Sequence, residues 1–577
     1  MASHSFIPDS STRKLTEIEA PAGAEIQRAI PLSPPERKTR FSPRVRKVAG
    51  IAIGAVLLAA ALAIAFRGPN YVSGFSPGTD SSVFLAVGYH MDHGRVLYRD
   101  TWDQKPPMIH IINAIALADG GNSIDAVRQI ERGFGMAGAA FAFLAAWLAF
   151  RRRYVAFLAA VGFTLFAYHP LIYQGGNLTE FYGIVFFLGG VAAAIASRQT
   201  HGWRAGVLAA LTGVAFGLCV LCKEPFLLSV TPWAVYTLWP QLGTRHLTLK
   251  RLPCLLVGAA LPLGTVVGYF LAHGAIFDWI DVIAYNFIYA RSSTKMPLYA
   301  KFVTSGLAAF DNLSQISWLA MPAMGLGLAS VASREFRQRT FNVPVVLAAD
   351  LLLGLLATSL SGLNYGHYYL QLVPAVIMLG VCGLLFCVYL IGKMPTLRLR
   401  VTTALPLVLA IAVLAWAGES KRVIENDGYI QVRVENAQQF AGFVDRLTMP
   451  FAKWRGNALV DYVRERVQPG QYLWCPSTDL CYIYAYADAL SPTQRLYTFW
   501  YFFCDTPAST RKAKFQRIHD EVIQNPPQMV LMIPEWHEII TDSGLGEFMT
   551  KNYTLADRLP SGLEWRGNPP VEVWIKK

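Results

Sequence analysis

The residues with the clearest potential for chemistry lie in one stretch that follows the first apolar run of the sequence. Residues 67–130 contain Asp80, Asp103 and Lys105 within a partly apolar segment. A carboxylate can accept the proton of an attacking hydroxyl group, and an ammonium group can stabilise negative charge on a leaving group. These residue types therefore indicate a site for group transfer in this stretch.

Asp80 and Lys105 also have simpler structural interpretations. Asp80 lies in the sequence Pro-Gly-Thr-Asp-Ser-Ser, where an aspartate favours a turn or caps a helix. Lys105 precedes Pro106 and Pro107, which keep the chain extended and can fix the lysine at a membrane boundary. A lysine at the start of an interfacial helix also extends its ammonium group into water without any catalytic role. The residues alone do not decide between these interpretations.

Four further ionisable residues occur near the ends of apolar runs. They are Glu180, Lys223, His367 and, in the longest later loop, Arg291. Ionisable groups at membrane depth are costly unless they face a cavity or pair with one another, which favours a shared site. Simpler alternatives exist. Glu180 could cap a helix, and Lys223 could form an ion pair with its neighbour Glu224. His367 could be part of an aromatic belt at the membrane interface. By charge alone, Arg291 is suited to binding a phosphate.

The composition indicates the class of protein. Of the 577 residues, 53% are hydrophobic and only 15% are charged, whereas soluble proteins carry about 25% charged residues. The mean hydropathy is +0.34. These values exclude a soluble enzyme and a disordered protein, and continuous apolar runs of about twenty residues exclude an outer-membrane barrel. The sequence therefore predicts a polytopic α-helical membrane protein.

About eleven apolar runs are candidate membrane spans. They cover residues 48–66, 133–150, 154–170, 181–197, 205–222, 226–240, 252–272, 315–332, 343–360, 369–391 and 401–417. The loops on one side carry fourteen basic residues and one acid, Glu335. The positive-inside rule therefore places the N-terminus, with a disordered tail at residues 1–47, in the cytoplasm. Because topology explains the net charge of +13, a nucleic-acid partner is rejected.

An odd number of spans places residues 418–577 outside the cytoplasm, after a transmembrane domain at residues 48–417. The pattern predicts a helix at 454–467 and strands at Tyr472–Trp474, Cys481–Tyr486, Met529–Ile533 and Val571–Ile575. These elements fit a small extracytoplasmic α/β domain. Cys475 and Cys481 are candidates for a short-loop disulfide, which that compartment would permit.

Three segments resemble those of one enzyme family. After Asp80, the chain reads Tyr-Arg-Asp and then Trp-Asp-Gln-Lys-Pro-Pro as it enters an apolar segment. Asn-Leu-Thr-Glu follows at 177–180, and His-Tyr-Tyr-Leu-Gln-Leu-Val-Pro at 367–374. Over roughly residues 45–420, the sequence resembles GT-C membrane glycosyltransferases of the family 39-like group. That group includes the bacterial lipid A aminoarabinose transferase and galacturonosyltransferases.

The resemblance implies a GT-C-like fold, a lipid-linked sugar donor, an extracytoplasmic active site and inversion at the anomeric carbon. It implies that Asp80 is the catalytic base, that Lys105 binds the donor phosphate and that His367 contacts the donor phosphate or sugar. Arg291, by its charge alone, is a further candidate for the phosphate. Relatives with a glutamate next to this lysine bind a metal there, whereas this chain has Gln104.

The remaining site residues have less specific predicted roles. Asp103, Glu180 and Lys223 are predicted to contact the sugar or the acceptor. Asp103 is alternatively a ligand of a divalent metal ion, which is the cofactor that the pattern allows.

The predicted function is a glycosyltransferase of the bacterial inner membrane that uses a polyprenyl-phosphate sugar. Its acceptor would be lipid A or its core, an envelope glycan or a protein. One alternative is a flippase or transporter of a lipid-linked sugar, which would need charges deep within the spans and an internal repeat. Another is a non-catalytic component of envelope-glycan assembly, in which the loss of Asp80 would have no effect.

Overall fold

The computed structural model describes residues 43–239, 249–396, 449–497, 508–533, 537–562 and 570–577. Helices dominate the chain up to residue 396. They are α1 (Pro43–Arg67), α2 (Thr79–Asp92), α3 (Pro107–Gly120), α4 (Ile124–Phe150), α5 (Arg153–Ala167), α6 (Pro170–Tyr173), α7 (Thr179–Gln199), α8 (Trp203–Cys222), α9 (Phe226–Leu238), α10 (Leu252–Ala272), α11 (Ile276–Ser292), α12 (Leu298–Ile316), α13 (Ala320–Ala329), α14 (Arg334–Arg339), α15 (Val343–Ser359) and α16 (Val373–Lys393). A 3₁₀ segment at Gly366–Leu372 leads directly into α16.

Six helical segments of the described residues are long and apolar enough to cross a membrane. They are Val48–Asn70, Ile124–Phe150, Thr179–Gln199, Trp203–Cys222, Leu252–Ala272 and Gly366–Lys393. Shorter apolar helices occupy four further predicted positions, at Arg153–Ala167, Phe226–Leu238, Ala320–Ala332 and Val343–Ser359. The prediction of a polytopic helical membrane protein is therefore confirmed. The predicted span at 401–417 and the tail up to residue 42 lie outside the described residues.

Small residues allow the apolar helices to approach one another closely. A Cβ atom added to Gly213 of α8 would lie 2.1 Å from the carbonyl oxygen of Leu255 in α10. A Cβ atom on Gly258 of α10 would lie 2.0 Å from the carbonyl oxygen of Ala210. Backbone-to-backbone contact of this kind is typical of membrane helices, where small side chains replace the hydrophobic driving force of soluble cores.

The long segment between the first two spans is folded into α2 and α3. Residues Ser81 to His90 of α2 are all buried. Pro107 occupies the first position of α3, where its missing N–H and its fixed φ suit a helix start. The two prolines after Lys105 therefore begin a helix and place the lysine immediately before it.

Two helices lie in the region that the sequence presented as the longest later loop. These are α11 and α12, and both expose large apolar side chains such as Phe277, Phe287 and Tyr299. Charged residues such as Asp278 interrupt their apolar runs, so a search for uninterrupted spans does not detect them. An amphipathic helix of this kind suits a membrane interface.

The described residues of the C-terminal part form a small mixed sheet and five α-helices. The strands are β1 (Leu473–Trp474), β2 (Met529–Met532), β3 (Tyr553–Pro560) and β4 (Pro570–Lys576), and the helices are α17 (Ala458–Arg464), α18 (Tyr482–Tyr486), α19 (Ala508–Gln524), α20 (His537–Asp542) and α21 (Gly546–Asn552). The strand order is β1-β2-β4-β3; β1 and β2 are parallel, whereas β4 is antiparallel to both of its neighbours.

Three of the four predicted strands coincide with β1, β2 and β4, but the prediction for Cys481–Tyr486 was wrong. This segment forms α18. Its aromatic residues have a high strand propensity, yet the backbone N–H of Tyr482 donates a 2.7 Å hydrogen bond to the Ser82 hydroxyl of α2. Packing against α2 therefore outweighs the local propensity.

The candidate disulfide between Cys475 and Cys481 is not formed. Both cysteines are free and buried. The Cys481 thiol instead donates a 3.2 Å hydrogen bond to the carbonyl oxygen of Ser477, so the cysteines act as packing residues.

The segment at residues 449–497 packs directly on the segment between the first two spans. The Tyr89 hydroxyl donates a 2.9 Å hydrogen bond to Asp488, and the Trp102 amide donates a 2.9 Å hydrogen bond to the carbonyl oxygen of Gln494. The Gln494 side chain donates to the carbonyl oxygen of Tyr98 at 2.6 Å. These contacts place residues 449–497 on the same side of the helical bundle as the segment between the first two spans.

Candidate active site

Asp80 lies in the first turn of α2, where it borders a cluster of ionisable side chains. The preceding Gly78 is extended, and the Thr79 hydroxyl donates a 2.6 Å hydrogen bond to Asp479. These contacts fix the start of the helix, and an acid in the first turn suits the helix dipole. The Asp80 side chain is 32% exposed, which makes it more accessible than its ionic partners.

Lys105 and His367 flank the Asp80 carboxylate. The Lys105 Nζ lies 3.6 Å from Asp80 Oδ2, and the His367 Nε2 lies 3.9 Å from the same oxygen. Burial disfavours the charged form of Lys105, but the carboxylates of Asp80 and Glu180 outweigh it and raise the pKa of this lysine. Lys105 is therefore a cation at neutral pH, held beside the most accessible carboxylate of the cluster.

The backbone of Lys105 is held on both sides. Its carbonyl oxygen accepts a 2.7 Å hydrogen bond from the Tyr98 hydroxyl. Its amide N–H donates a 3.3 Å hydrogen bond to Asp103 Oδ2. The extended Pro106, with φ −58° and ψ 159°, then leads into α3. The position of the ammonium group is thus set by the surrounding structure rather than by a flexible loop.

Glu180 and Lys223 form a second ion pair, which is more deeply buried. Glu180 lies in the first turn of α7 with its side chain 2% exposed, and it accepts a hydrogen bond from Lys223 at the end of α8. Lys223 Nζ also lies 3.9 Å from the centre of the Tyr368 ring. Glu224 instead accepts a 2.7 Å hydrogen bond from Asn286. The alternative of a local ion pair between Lys223 and Glu224 is therefore not observed.

His367 connects the two ion pairs. Its Nε2 atom lies 3.9 Å from Glu180 Oε1 as well as from Asp80 Oδ2. On the other side of the ring, Nδ1 lies 2.6 Å from the Gln174 side-chain oxygen. The Tyr365 ring stacks on the imidazole at a centroid distance of 5.6 Å. These contacts orient the ring so that Nε2 faces both carboxylates.

Asp103 is buried beside this cluster and has three hydrogen-bonding neighbours. Its Oδ2 lies 3.1 Å from His110 Nε2 and accepts from the Lys105 amide, while Oδ1 accepts from the Tyr497 hydroxyl. Burial opposes ionisation, but the hydrogen bonds from His110 and Tyr497 and the nearby lysine outweigh it and lower the pKa of Asp103. Asp103 is therefore an ionised carboxylate with both oxygens engaged.

The residues around Asp103 do not fit a metal site. Among the described residues, no group of three or more His, Cys, Asp or Glu side chains is arranged to hold a metal ion. A divalent ion needs several oxygen or nitrogen ligands, whereas Asp103 is surrounded by donors: a phenol, an imidazole and a backbone N–H. No reaction step is therefore assigned to a metal.

An open cleft adjoins Asp80 and contains residues from two distant parts of the chain. It is continuous with solvent, and its enclosed part has room for about one water-sized group. Its lining residues are Asp80, Val83, Phe84, Asp103, Gln104, Lys105, Thr478 and Tyr497. The last two come from the C-terminal segment, so the cleft is complete only when that segment is in place.

The structure brings together most of the residues that the sequence selected. Asp80, Lys105, Glu180, Lys223 and His367 form one connected cluster, and Asp103 adjoins it. Arg291 lies in the last turn of α11 with its side chain exposed to solvent.

Sequence reasoning missed four residues that surround this cluster. They are Gln174, His110, Thr478 and Tyr497. No local pattern identifies the last two, because they act on partners almost four hundred positions away in the chain. His110 lies near Asp103 because α3 begins at Pro107, and the sequence pattern did not predict this helix start.

Sequence comparisons identify no relative, whereas the fold has known counterparts. The sequence matches no protein-family model, and no curated protein is detectably similar to it. The crystal structure of apo ArnT from Cupriavidus metallidurans is similar with a TM-score of 0.51 and 14% identity, covering 91% of this chain and 98% of that chain. ArnT from the same organism bound to undecaprenyl phosphate is similar with a TM-score of 0.50 and 13% identity, covering 90% and 97%.

ArnT is a lipid A aminoarabinose transferase of the GT-C family. The alignment extends from the helical bundle to the C-terminal part, since it covers nearly all of both chains. The resemblance that the three sequence segments predicted is confirmed at the level of the fold: this chain has an ArnT-like fold.

Proposed function

We propose that this protein is a membrane glycosyltransferase that moves a monosaccharide from a polyprenyl-phosphate donor to an acceptor. The observation that carries the proposal is the accessible Asp80 carboxylate, held within 3.6 Å of Lys105 and 3.9 Å of His367 at one end of the apolar helices. The similarity in fold to a protein solved with undecaprenyl phosphate supports a lipid-linked donor.

In the proposed step, Asp80 accepts the proton of an acceptor hydroxyl as the hydroxyl oxygen attacks the anomeric carbon. A bond forms between that oxygen and C1, and the bond between C1 and the phosphate oxygen breaks with its electron pair remaining on phosphate. Attack opposite the leaving group inverts the configuration at C1. A positioned base of this kind contributes about 10²–10⁴-fold in rate.

The developing phosphate charge needs a nearby cation. Lys105 is the first candidate, because it is charged and lies at the cleft beside Asp80. His367 lies 3.9 Å from the same oxygen of the Asp80 carboxylate. Arg291 is exposed at the end of α11, where it could reach the phosphate from solvent. Electrostatic stabilisation by such preorganised groups is commonly the largest single contribution to catalysis.

Glu180 and Lys223 have a supporting role in this proposal. Because the Glu180 side chain is only 2% exposed and bonded to Lys223, it is poorly placed to contact a sugar. Its negative charge instead orients Lys223 and His367 toward the phosphate. This role replaces the sugar contact that the sequence suggested for Glu180.

We place the reaction at the outer face of a bacterial inner membrane. The basic residues of the short loops, such as Arg151 to Arg153, lie at the opposite ends of the helices from Asp80, which by the positive-inside rule makes the Asp80 side extracytoplasmic. The acceptor is then a component of the envelope, namely lipid A or its core, an envelope glycan or a protein.

The decisive experiment measures sugar transfer in membranes that contain the full-length protein. A panel of radiolabelled polyprenyl-phosphate sugars is supplied, and wild type is compared with Asp80→Asn at equal expression. Asp461→Asn is the matched control, because Asp461 is 69% exposed in the C-terminal part. We expect Asp80→Asn to reduce transfer at least about 100-fold and Asp461→Asn to retain it.

Other outcomes would contradict the proposal in different ways. Unchanged transfer by Asp80→Asn would remove Asp80 as the base. Movement of the labelled lipid across the bilayer without transfer would establish a flippase. Envelope assembly that needs the protein but tolerates Asp80→Asn would indicate a non-catalytic component.

A further inference from the structure

We propose that the cleft beside Asp80 contains a subsite that binds an uncharged hydroxyl group of the transferred sugar. Gln104 of the first outer loop forms one side of this subsite, and Thr478 and Tyr497 of the C-terminal segment form the other. The inference rests on the proposed function, since it concerns the sugar that the same site would transfer.

The first observation is an unsatisfied acceptor at the cleft. Gln104 is 6% exposed, and its side-chain oxygen Oε1 has no hydrogen-bond partner among the described residues. The backbone carbonyl of Gln104 accepts a 2.8 Å hydrogen bond from the Asn286 amide, which fixes the residue in place. A buried acceptor without a partner is unfavourable, so a ligand group that donates to Oε1 would bind favourably there.

The second observation is the hydroxyl-rich surface of the C-terminal segment. Thr478 is 4% exposed, and Tyr497 is similarly buried. Tyr497 uses its proton to bond Asp103, which leaves its phenol oxygen with lone pairs that can accept. Phe84 and Val83 add an apolar surface to the cleft. Hydrogen-bonding groups beside an apolar surface match the hydroxyl and C–H faces of a sugar ring.

The charges around the cleft favour an uncharged substituent. Asp103 already receives hydrogen bonds from Tyr497 and the Lys105 amide and lies 3.1 Å from His110, so it offers little to an ammonium group. A carboxylate on the sugar would lie near Asp103 and Asp80, and the one cation among the residues that line the cleft, Lys105, is already paired with Asp80 at 3.6 Å. A hydroxyl group both donates and accepts hydrogen bonds. It can therefore donate to the side-chain oxygen of Gln104 or accept from its NH₂ group, and it can also bond the hydroxyls of Thr478 and Tyr497. The subsite therefore predicts a neutral hexose or pentose rather than an amino sugar or a uronic acid.

The test uses the full-length protein in lipid nanodiscs with three synthetic polyprenyl-phosphate donors. These carry a neutral sugar, an amino sugar and a uronic acid. Equilibrium binding and transfer are both measured for wild type, Gln104→Leu and Tyr497→Phe, with Gln516→Leu as the control on an exposed glutamine of α19. Thermal melting is used to check that each variant is folded. If Gln104→Leu is not folded, Gln104→Asn replaces it in the binding and transfer measurements.

We expect wild type to prefer the neutral donor at least tenfold in kcat/KM. Gln104→Leu should raise Kd and KM for that donor about five- to thirtyfold, with a smaller change in kcat. Gln104→Glu should shift the preference toward the amino sugar, because it places a negative charge at the same position. Gln516→Leu should behave like wild type.

Two failures are distinguishable. Transfer that is unaffected by Gln104→Leu, or a wild-type preference for a charged sugar, would overturn the subsite and leave the proposed function intact. Binding that depends on Gln104 without transfer from any donor would overturn the proposed function and leave the subsite intact. Equal binding of all three donors by wild type and by Gln104→Leu would also overturn the subsite.

Discussion

The Nε2 atom of His367 lies 3.9 Å from Glu180 Oε1, and it lies equally far from Asp80 Oδ2. One imidazole thus stands between the accessible carboxylate and the buried one. The Gln174 side chain at 2.6 Å holds the opposite nitrogen. A substitution that moves the His367 ring therefore changes the surroundings of the Asp80 and Glu180 carboxylates together.

Replacing His367 by glutamine should reduce transfer about 10- to 100-fold, since a preorganised polar group near the reacting phosphate is typically worth that much. The reduction should appear mainly in kcat, because the proposed function assigns binding of the donor's hydrocarbon tail to the apolar helices and not to His367. Initial rates at varied donor concentration measure the two parameters. His273→Gln is the control, because His273 is exposed and contacts the backbone of α10. A change confined to KM would assign His367 to ground-state binding.

Gly366→Ala should inactivate the protein without removing any functional group. An added Cβ atom would lie 2.1 Å from the carbonyl oxygen of Leu171 and 2.9 Å from the Gln174 side chain. The 3₁₀ segment must therefore shift, and His367 shifts with it. Gly392→Ala provides a matched control, because nothing lies within 4 Å of its added Cβ atom. Equal activity of the two variants would show that the position of His367 is unimportant.

Glu180→Gln should destabilise the protein as well as inactivate it. The substitution leaves the Lys223 ammonium group buried without its carboxylate, and breaking a buried pair in this way costs about 3–5 kcal/mol. Adding Lys223→Met should recover much of the lost thermal stability without recovering activity. Melting temperature and transfer rate are measured for the single and double variants.

The surface pair of Glu335 and Lys393 supplies the control for this experiment. Both of its side chains are well exposed, so Glu335→Gln should change the melting temperature much less than Glu180→Gln. Equal effects of the two substitutions would show that the Glu180 pair has no special structural role.

The contact between α2 and the C-terminal segment should weaken in acid because of His90. Its Nδ1 lies 2.7 Å from the Ala86 carbonyl oxygen, and its Nε2 accepts a 2.9 Å hydrogen bond from the Ser491 amide. Burial, together with the charge of Arg95, lowers the pKa of His90 from 6.5 to about 3. The folded protein therefore holds this imidazole in the neutral form.

The direction of the pH effect follows from these two pKa values. Above pH 6.5 the imidazole is neutral in both the folded and the unfolded chain. As the pH falls from 6.5 toward 3, the unfolded chain takes up a proton that the folded chain does not, so stability is lost across that range. Limited proteolysis of the 449–497 segment at several pH values measures the loss. His90→Gln should reduce the pH dependence, whereas the same substitution at the partly exposed His519 should leave it unchanged.

The spans and the first-loop site could be predicted because both depend on short-range patterns. A continuous apolar run determines a membrane helix almost alone, and Lys105 is identified by its two following prolines. The helices α11 and α12 were not predicted from the sequence, because charged residues such as Asp278 interrupt their apolar runs. Residues Cys481–Tyr486 were mistaken for a strand because a short run of aromatic and apolar residues suits either structure, and packing on α2 decides.

The pairing of Tyr497 with Asp103 joins residues 394 positions apart, and that of Ser491 with His90 joins residues 401 apart. During synthesis, the ribosome completes every helix up to α16 before it reaches either C-terminal partner. A nascent or truncated chain can therefore assemble the Asp80 cluster in the bilayer while its cleft still lacks one side. We expect the protein to mature in two stages, with insertion of the helices into the membrane preceding closure of the cleft by the C-terminal segment.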